Sequence, residues 1–90
     1  MILTSILIRI HLVLPTFLDI HSIGTLTEDG LTKEQDAPRD ELGVKTVNIL
    51  YNFEVETSYC FIDAPTKEAV KTHHDKIGVK CDWIMEVKST

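Results

Sequence analysis

Residues 58–74, SYCFIDAPTKEAVKTHH, contain a change from extended to helical structure. The side chains up to Asp63 alternate in the way that is typical of a β-strand. The next residues contain a proline and form a corner, after which Thr66 is the expected N-cap of an amphipathic helix that ends at Gly78. The stretch therefore forms one half of a strand-helix-strand unit, and its helix carries two adjacent histidines near its end.

The rest of the sequence supplies a second half of the same kind. Alternating patterns predict strands at residues 16–22, 44–52 and 82–88, in addition to the strand at 57–63. Thr32 and Gln35 form a capping-box pattern, which predicts a short helix from about Lys33 to Gly43. The order of these elements is strand, helix, strand, strand, helix, strand.

This order predicts an α+β fold of the ferredoxin-like βαββαβ type, in which a four-stranded antiparallel sheet carries two helices on one face. Right-handed crossovers place the first strand between the third and the fourth. Residues 15–90 are expected to form this single domain. Residues 1–14 are apolar and are expected to form either an extra edge strand or a disordered extension.

Composition excludes several classes of function. The 90 residues include 9 basic and 14 acidic side chains, with a net charge of −5. No basic stripe is present that could neutralise phosphates, so nucleic acid is not an expected partner. The apolar N-terminal stretch is too short to span a bilayer, so no membrane association is expected.

Two cysteines, Cys60 and Cys81, are too few for a disulfide framework and predict a cytoplasmic protein. They would lie about 9 to 10 Å apart across the first strand, which is too far for a disulfide, so both are predicted to be free thiols.

The two faces of the predicted sheet differ in polarity. One face is strongly apolar and is expected to pack against the helices: Leu18, Ile20, Val47, Ile49, Tyr51, Tyr59, Phe61, Trp83, Met85 and Val87. The other is about half apolar: Phe17, Asp19, His21, Thr46, Asn48, Leu50, Cys60, Ile62, Ile84 and Glu86. Because a face of this mixture is too apolar to remain in water, we expect two copies to bury it in a homodimer.

Three potential metal ligands fall on adjacent strands of this second face. His21, Cys60 and Glu86 lie on the first, third and fourth strands, which are about 4.8 Å apart in the predicted order. Imidazole, thiolate and carboxylate together suit Ni, Zn or Cu better than Mg or Ca. An equally weighted alternative is a buried thiol, a hydrogen-bonded histidine and a solvated glutamate.

The two adjacent histidines on the second helix point about 100° apart, so they cannot chelate one ion together. We expect His73 to face inward toward the site and His74 to interact with the helix dipole.

The segments TFLDIH, ELGVKTVNILYN, YCFIDAPTKEAVKTHH and CDWIMEV resemble a small bacterial domain family of formerly unknown function that includes a nickel-binding protein. The resemblance extends over about residues 15–87. It implies a ferredoxin-like fold, dimerisation and, for at least one member, nickel binding. On this resemblance, His21, Cys60, His73 and Glu86 are nominated as metal ligands.

The leading hypothesis is a dimeric, non-enzymatic protein that sequesters, carries or senses a transition-metal ion, with nickel as the candidate. A second hypothesis is a dimeric α+β barrel enzyme that uses His21 as a general base on an organic ligand. A third is an interaction module whose polar face serves only pairing.

Overall fold

The computed structural model describes residues 14–81 and 83–90. Of the N-terminal extension predicted at residues 1–14, only Leu14 is among the described residues. Asp82, where the last strand is predicted to begin, lies outside them as well.

The described residues form six elements in the order predicted from the sequence. They are β1 (Thr16–Ser22), α1 (Glu28–Asp36), β2 (Lys45–Asn52), β3 (Thr57–Asp63), α2 (Lys67–Lys76) and β4 (Trp83–Val87). The strands form one antiparallel sheet in the order β2-β3-β1-β4. The ferredoxin-like α+β prediction is confirmed, including the position of the first strand between the third and fourth.

Strand β1 lies at the centre of the sheet, and its register fixes which side chains become neighbours. Asp19 is opposite Cys60 on β3 and opposite Ile84 on β4. His21 is opposite Ser58, two positions further along the same face. Because facing residues of an antiparallel pair project to the same side, β1 and β3 bring an aspartate, a histidine and a cysteine together.

The prediction of which face the helices cover is wrong. Both helices pack on the face that carries Asp19, and the core there consists of apolar side chains from the strands and their ends, with one from each helix. The buried set is Phe17, Leu31, Val44, Ile49, Cys60, Ile62, Ala64, Val70 and Ile84.

The more apolar face is therefore open. Trp83 and Met85 are 42% and 45% exposed, and Tyr59 and Leu50 are also exposed. Leu18, Ile20 and Phe61 are half-buried on the same face. These seven residues form two rows across the sheet and are called the open face below.

A β-bulge explains why the two faces of β2 were predicted incorrectly. The pairing of β2 with β3 shifts between Thr46 and Asn48, so that Thr46 and Ile49 both become buried. The inserted residue at the bulge is Val47, which is 51% exposed. One extra residue reverses the alternation that follows it, so the period-2 pattern could not predict both ends of the strand.

Helix α1 begins and ends earlier than predicted. Thr27, not Thr32, is the N-cap, and its hydroxyl oxygen accepts a hydrogen bond from the Gly30 amide. The helix ends at Asp36 because Ala37 precedes a proline and takes an extended conformation, with ψ of 141°.

Helix α2 begins as predicted, since the Thr66 hydroxyl accepts a hydrogen bond from the Ala69 amide. Gly78 has a φ of +74°, which fits the predicted glycine at the end of the helix. In the part of the chain that the structure describes, no helix has the length and apolarity that a membrane span requires.

The position of the α1 N-cap can be tested by two alanine substitutions. Thr27→Ala should lower the free energy of unfolding by about 1 kcal/mol, because the Gly30 amide loses its partner. Thr32→Ala should change it by less than about 0.5 kcal/mol, because the exposed Thr32 hydroxyl only donates back to the Glu28 carbonyl. Urea denaturation measures both, and a larger effect at Thr32 would contradict the observed start of the helix.

Candidate metal centre

Asp19 is a carboxylate in the interior of the domain. It lies on the central strand, on the helix-covered face, and is 0% exposed. Among the described residues, neither of its oxygens has a hydrogen bond of good geometry. A buried carboxylate without such partners is costly unless a positive charge or a metal ion lies beside it.

His21 lies two residues further along β1 and points into the same space. Its Nδ1 is 2.9 Å from the Ser22 carbonyl oxygen, which can only accept, so Nδ1 carries a proton. Its Nε2 is then directed at the cluster, 3.6 Å from the Cys60 sulfur and 3.8 Å from Asp19 Oδ1.

His74 has the same arrangement on the other side of Asp19. Its Nδ1 donates to the Val70 carbonyl at 2.9 Å, within the last turn of α2. Its Nε2 lies 2.9 Å from Asp19 Oδ2. Both imidazoles are thus held by a backbone carbonyl through one nitrogen, which is the way that proteins orient histidines that bind metals through the other.

Two free cysteines complete the group. Cys60 on β3 is buried, and its sulfur is also 3.6 Å from the Ser58 hydroxyl. Cys81 follows α2 and is half-buried. The donor atoms form two triads, Asp19–His21–Cys60 and Asp19–His74–Cys81, each with all its atoms within 4.8 Å of one another. We call these the inner and outer triads, and together the donor cluster.

The charges of the cluster depend on one another. Burial lowers the pKa of His74, but Asp19 and the two thiols have a larger opposite effect. Together they raise the pKa of His74 to about 12. Burial likewise opposes protonation of His21, whose pKa is nevertheless raised by Cys60 and the Ser22 carbonyl. Burial raises the pKa of Cys60, but the two imidazoles lower it below its ordinary value. Without a metal ion, the proton that His74 retains therefore balances the buried Asp19 carboxylate.

The donor cluster fits a transition-metal ion. Two imidazole nitrogens, two sulfurs and a carboxylate form a mixed set that suits borderline metals such as nickel, zinc or copper. A metal cation would also supply the charge that both Asp19 oxygens require.

Two cavities adjoin the cluster on different sides. A cavity of about 100 Å³ lies between the sheet and the helices, beside His21 and Cys60, with mainly apolar walls. A more open cavity of about 370 Å³ lies beside His74 and Cys81 and is also lined by Lys71 and Lys80. The inner triad therefore borders the smaller and more enclosed space. In the outer triad, His74 lines both cavities and Cys81 lines the more open one.

The structure brings together two of the four nominated ligands, His21 and Cys60. It does not bring Glu86 to them: Glu86 is exposed and opposite Phe17, four residues from His21, or about 13 Å along the strand.

His73 also lies outside the cluster, because His74 and not His73 points toward Asp19. Its Nε2 is 2.5 Å from Glu34 Oε1 and its Nδ1 is 2.7 Å from Asp40 Oδ2. The Glu34 carboxylate, followed by Asp40, raises the pKa of His73. The result is a clamp that joins α2 to α1 and to the loop after it.

Asp19, His74 and Cys81 were not among the nominated ligands. The sequence contained one usable signal for Asp19, because it is two residues from His21 and so shares its face. For His74 the signal was its spacing of four residues from Val70, the other buried residue of α2. No comparable signal pointed to Cys81, which lies in a connection.

Comparison with known proteins points to one family. The family model described as "Nickel responsive protein SCO4226-like" matches residues 17–87. The crystal structure of SCO4226 from Streptomyces coelicolor A3(2) is similar with a TM-score of 0.70 and 28% sequence identity, covering 83% of this chain and 98% of that chain. No similar sequence was found among curated proteins. The matched residues include the whole donor cluster.

The clamp predicts a pH-dependent loss of stability for His73→Gln. Because the pKa of His73 is raised, its contribution is complete below its unfolded value of 6.5 and is lost as the pH rises through the folded value. The lowered pKa values of Glu34 and Asp40 keep both carboxylates charged at pH 6. We expect a loss of about 1–2 kcal/mol at pH 6, since the groups are partly exposed, and a smaller loss at alkaline pH.

Chemical denaturation of the metal-free protein at several pH values measures this loss. Lys76→Gln is the matched control, since Lys76 lies on the same helix as His73 but forms only an exposed pair with Glu41 of the loop after α1, and its loss should change stability little. An effect of His73→Gln that is independent of pH would contradict the ionic clamp.

Proposed function

The chain belongs to the nickel-responsive SCO4226-like family, and from this membership and its donor cluster we propose that it binds a transition-metal ion, with nickel as the first candidate. The inner triad of Asp19, His21 and Cys60 would hold the ion. The observation that carries this proposal is the buried Asp19 carboxylate, both of whose oxygens lack a well-formed hydrogen bond among the described residues.

The choice of a transition metal rests on the donor types. Magnesium and calcium bind through oxygen, whereas the inner triad offers one nitrogen, one sulfur and one carboxylate. Burial raises the pKa of Cys60, but the imidazoles lower it below its ordinary value, which makes loss of the thiol proton to a metal ion easier. A metal ion would compete with protons for the imidazole and the thiolate, so its affinity should fall as the pH falls.

Binding without catalysis is favoured by the size of the space beside the inner triad. The cavity next to His21 and Cys60 has a volume of about 100 Å³, whereas sites for small organic molecules usually measure roughly 300–1,000 Å³. The alternative, an enzyme with His21 as general base, would need a larger space at that position. Sequestering, carrying or sensing the ion is the role that this geometry supports best.

A homodimer is part of the proposal, with a different interface from the one predicted from the sequence. The half-polar face is covered by the domain's own helices, whereas the open face presents Tyr59, Trp83 and Met85 to the surroundings. A contiguous apolar patch of this kind favours pairing with a second copy, sheet against sheet.

Titration of untagged protein with Ni²⁺, Zn²⁺ and Cu²⁺ by calorimetry tests the metal site. We expect tight binding that His21→Ala weakens by more than roughly 100-fold, because removing even a partner of a metal ligand costs ~10–100-fold. Cys60→Ser should have a similar effect.

Glu86→Gln is the matched control for this titration. It changes a carboxylate that was nominated from the sequence but lies away from the triad, and it should leave binding unchanged. Unaltered metal content in both the His21 and the Cys60 variants would refute the proposed site.

The double substitution Trp83→Lys and Met85→Lys tests the interface. Placing two charges on the open face should convert a dimer to a monomer, because buried unpaired charges are costly. Light scattering coupled to size-exclusion chromatography gives the mass. Val55→Lys, at an exposed position in the turn between β2 and β3, should leave the dimer intact. A monomeric wild-type protein at tens of micromolar would contradict this part of the proposal.

A further inference from the structure

We infer that the chain has a second metal site, formed by Asp19, His74 and Cys81, and that the Asp19 carboxylate bridges the two ions. This inference rests on the proposed function, which concerns the inner triad. The second ion would occupy the outer triad and would exchange with solvent faster than the first.

The two oxygens of Asp19 face different imidazoles. Oδ1 lies 3.8 Å from His21 Nε2, and Oδ2 lies 2.9 Å from His74 Nε2. Each imidazole is anchored through Nδ1 by its own backbone carbonyl, so each Nε2 is held toward its own oxygen. A carboxylate in this position can give one oxygen to each of two ions.

A single ion does not account for all five donors. Metal–ligand distances of about 2.0–2.3 Å require donor atoms of one ion to lie within about 4.6 Å of each other. Among the described residues, the donor atoms divide into two groups of three that share Asp19.

The surroundings of the two triads differ in access to solvent. His21 and Cys60 are at most 4% exposed. Cys81 is half-buried and borders, together with His74, the open cavity of about 370 Å³. Water that enters this cavity can complete the coordination of an outer ion, and the ion can exchange with solvent through the same opening.

Charge predicts that the outer ion binds more weakly. A divalent ion in the inner triad is neutralised by the Asp19 carboxylate and the Cys60 thiolate. A second divalent ion then gains only one further anion, the Cys81 thiolate, and leaves one positive charge uncompensated. Lys71 and Lys80 beside the same cavity add to the repulsion, and Asp75 opposes it.

The experiment counts ions per chain. Untagged protein is loaded with Ni²⁺, separated from free metal and analysed for nickel and protein, and a parallel calorimetric titration resolves the binding steps. We expect two ions per wild-type chain in a tight and a weaker step. Cys81→Ser should retain the tight step and lose the weaker one by at least 10-fold in affinity. Asp75→Asn, which alters the same cavity but no donor, should retain both.

A second readout identifies the ligand. The sulfur-to-nickel charge-transfer absorption that develops with the second equivalent should be absent in Cys81→Ser and in Cys81→Ala. Asp19→Asn should weaken both steps, and loss of only one step would contradict a shared carboxylate. Thermal melts establish that each variant is folded, and the two Cys81 variants keep the test decisive if Asp19→Asn does not fold.

The outcomes separate this inference from the proposed function. One ion per wild-type chain, unaffected by Cys81→Ser, would overturn the second site and leave the inner site standing. Two ions in both wild type and Cys81→Ser would place the second ion elsewhere and would also overturn it. No ion bound to wild type would refute the proposed function itself.

Discussion

The buried carboxylate of Asp19 is the constraint on which the rest of the site depends. It lies on the central strand, where the sheet and both helices exclude water from it. A carboxyl group in such a place with no positive charge nearby would either become neutral, because burial raises its pKa, or destabilise the fold. Here two imidazoles lie beside it, one from its own strand and one from α2. The position of α2 on the sheet is therefore tied to charge balance as well as to apolar packing.

The buried polar cluster goes together with an unusual distribution of apolar residues between the two faces of the sheet. The helix-covered face has an aspartate and a histidine at buried positions, and these two side chains add no apolar packing to the core. The larger apolar residues, among them Trp83 and Met85, lie on the open face. A domain of this size has little surplus stability. Burial of the open face against a second copy would supply apolar contacts that the polar interior does not.

The sequence predicted the elements of the fold better than their faces. Alternation located all four strands, and their order with two intervening helices determined the topology. The face was predicted by counting apolar residues, and this rule failed because the more apolar face is the open one. For α1, the capping-box pattern of Thr32 and Gln35 placed the start of the helix too late, because the N-cap in the fold is Thr27. His21 and Cys60 could be nominated from strand order. The role of His74 could not be predicted in this way, because a rotation of the helix by about 100° about its axis would put His73 in the place of His74.

Adjacent histidines with different partners give α2 a role in preorganising the site. The rings of His73 and His74 are 5.6 Å apart and inclined at 81°. One is bound to carboxylates of α1 and the loop after it, and the other points at Asp19. The last turn of α2 is therefore fixed from both sides, so His74 Nε2 stays directed at the carboxylate when no ion is present. This orientation lowers the entropic cost of metal binding, because the His74 imidazole is already ordered before the ion binds. Helix α1 provides no donor, yet through Glu34 and His73 it contributes to the geometry of the cluster.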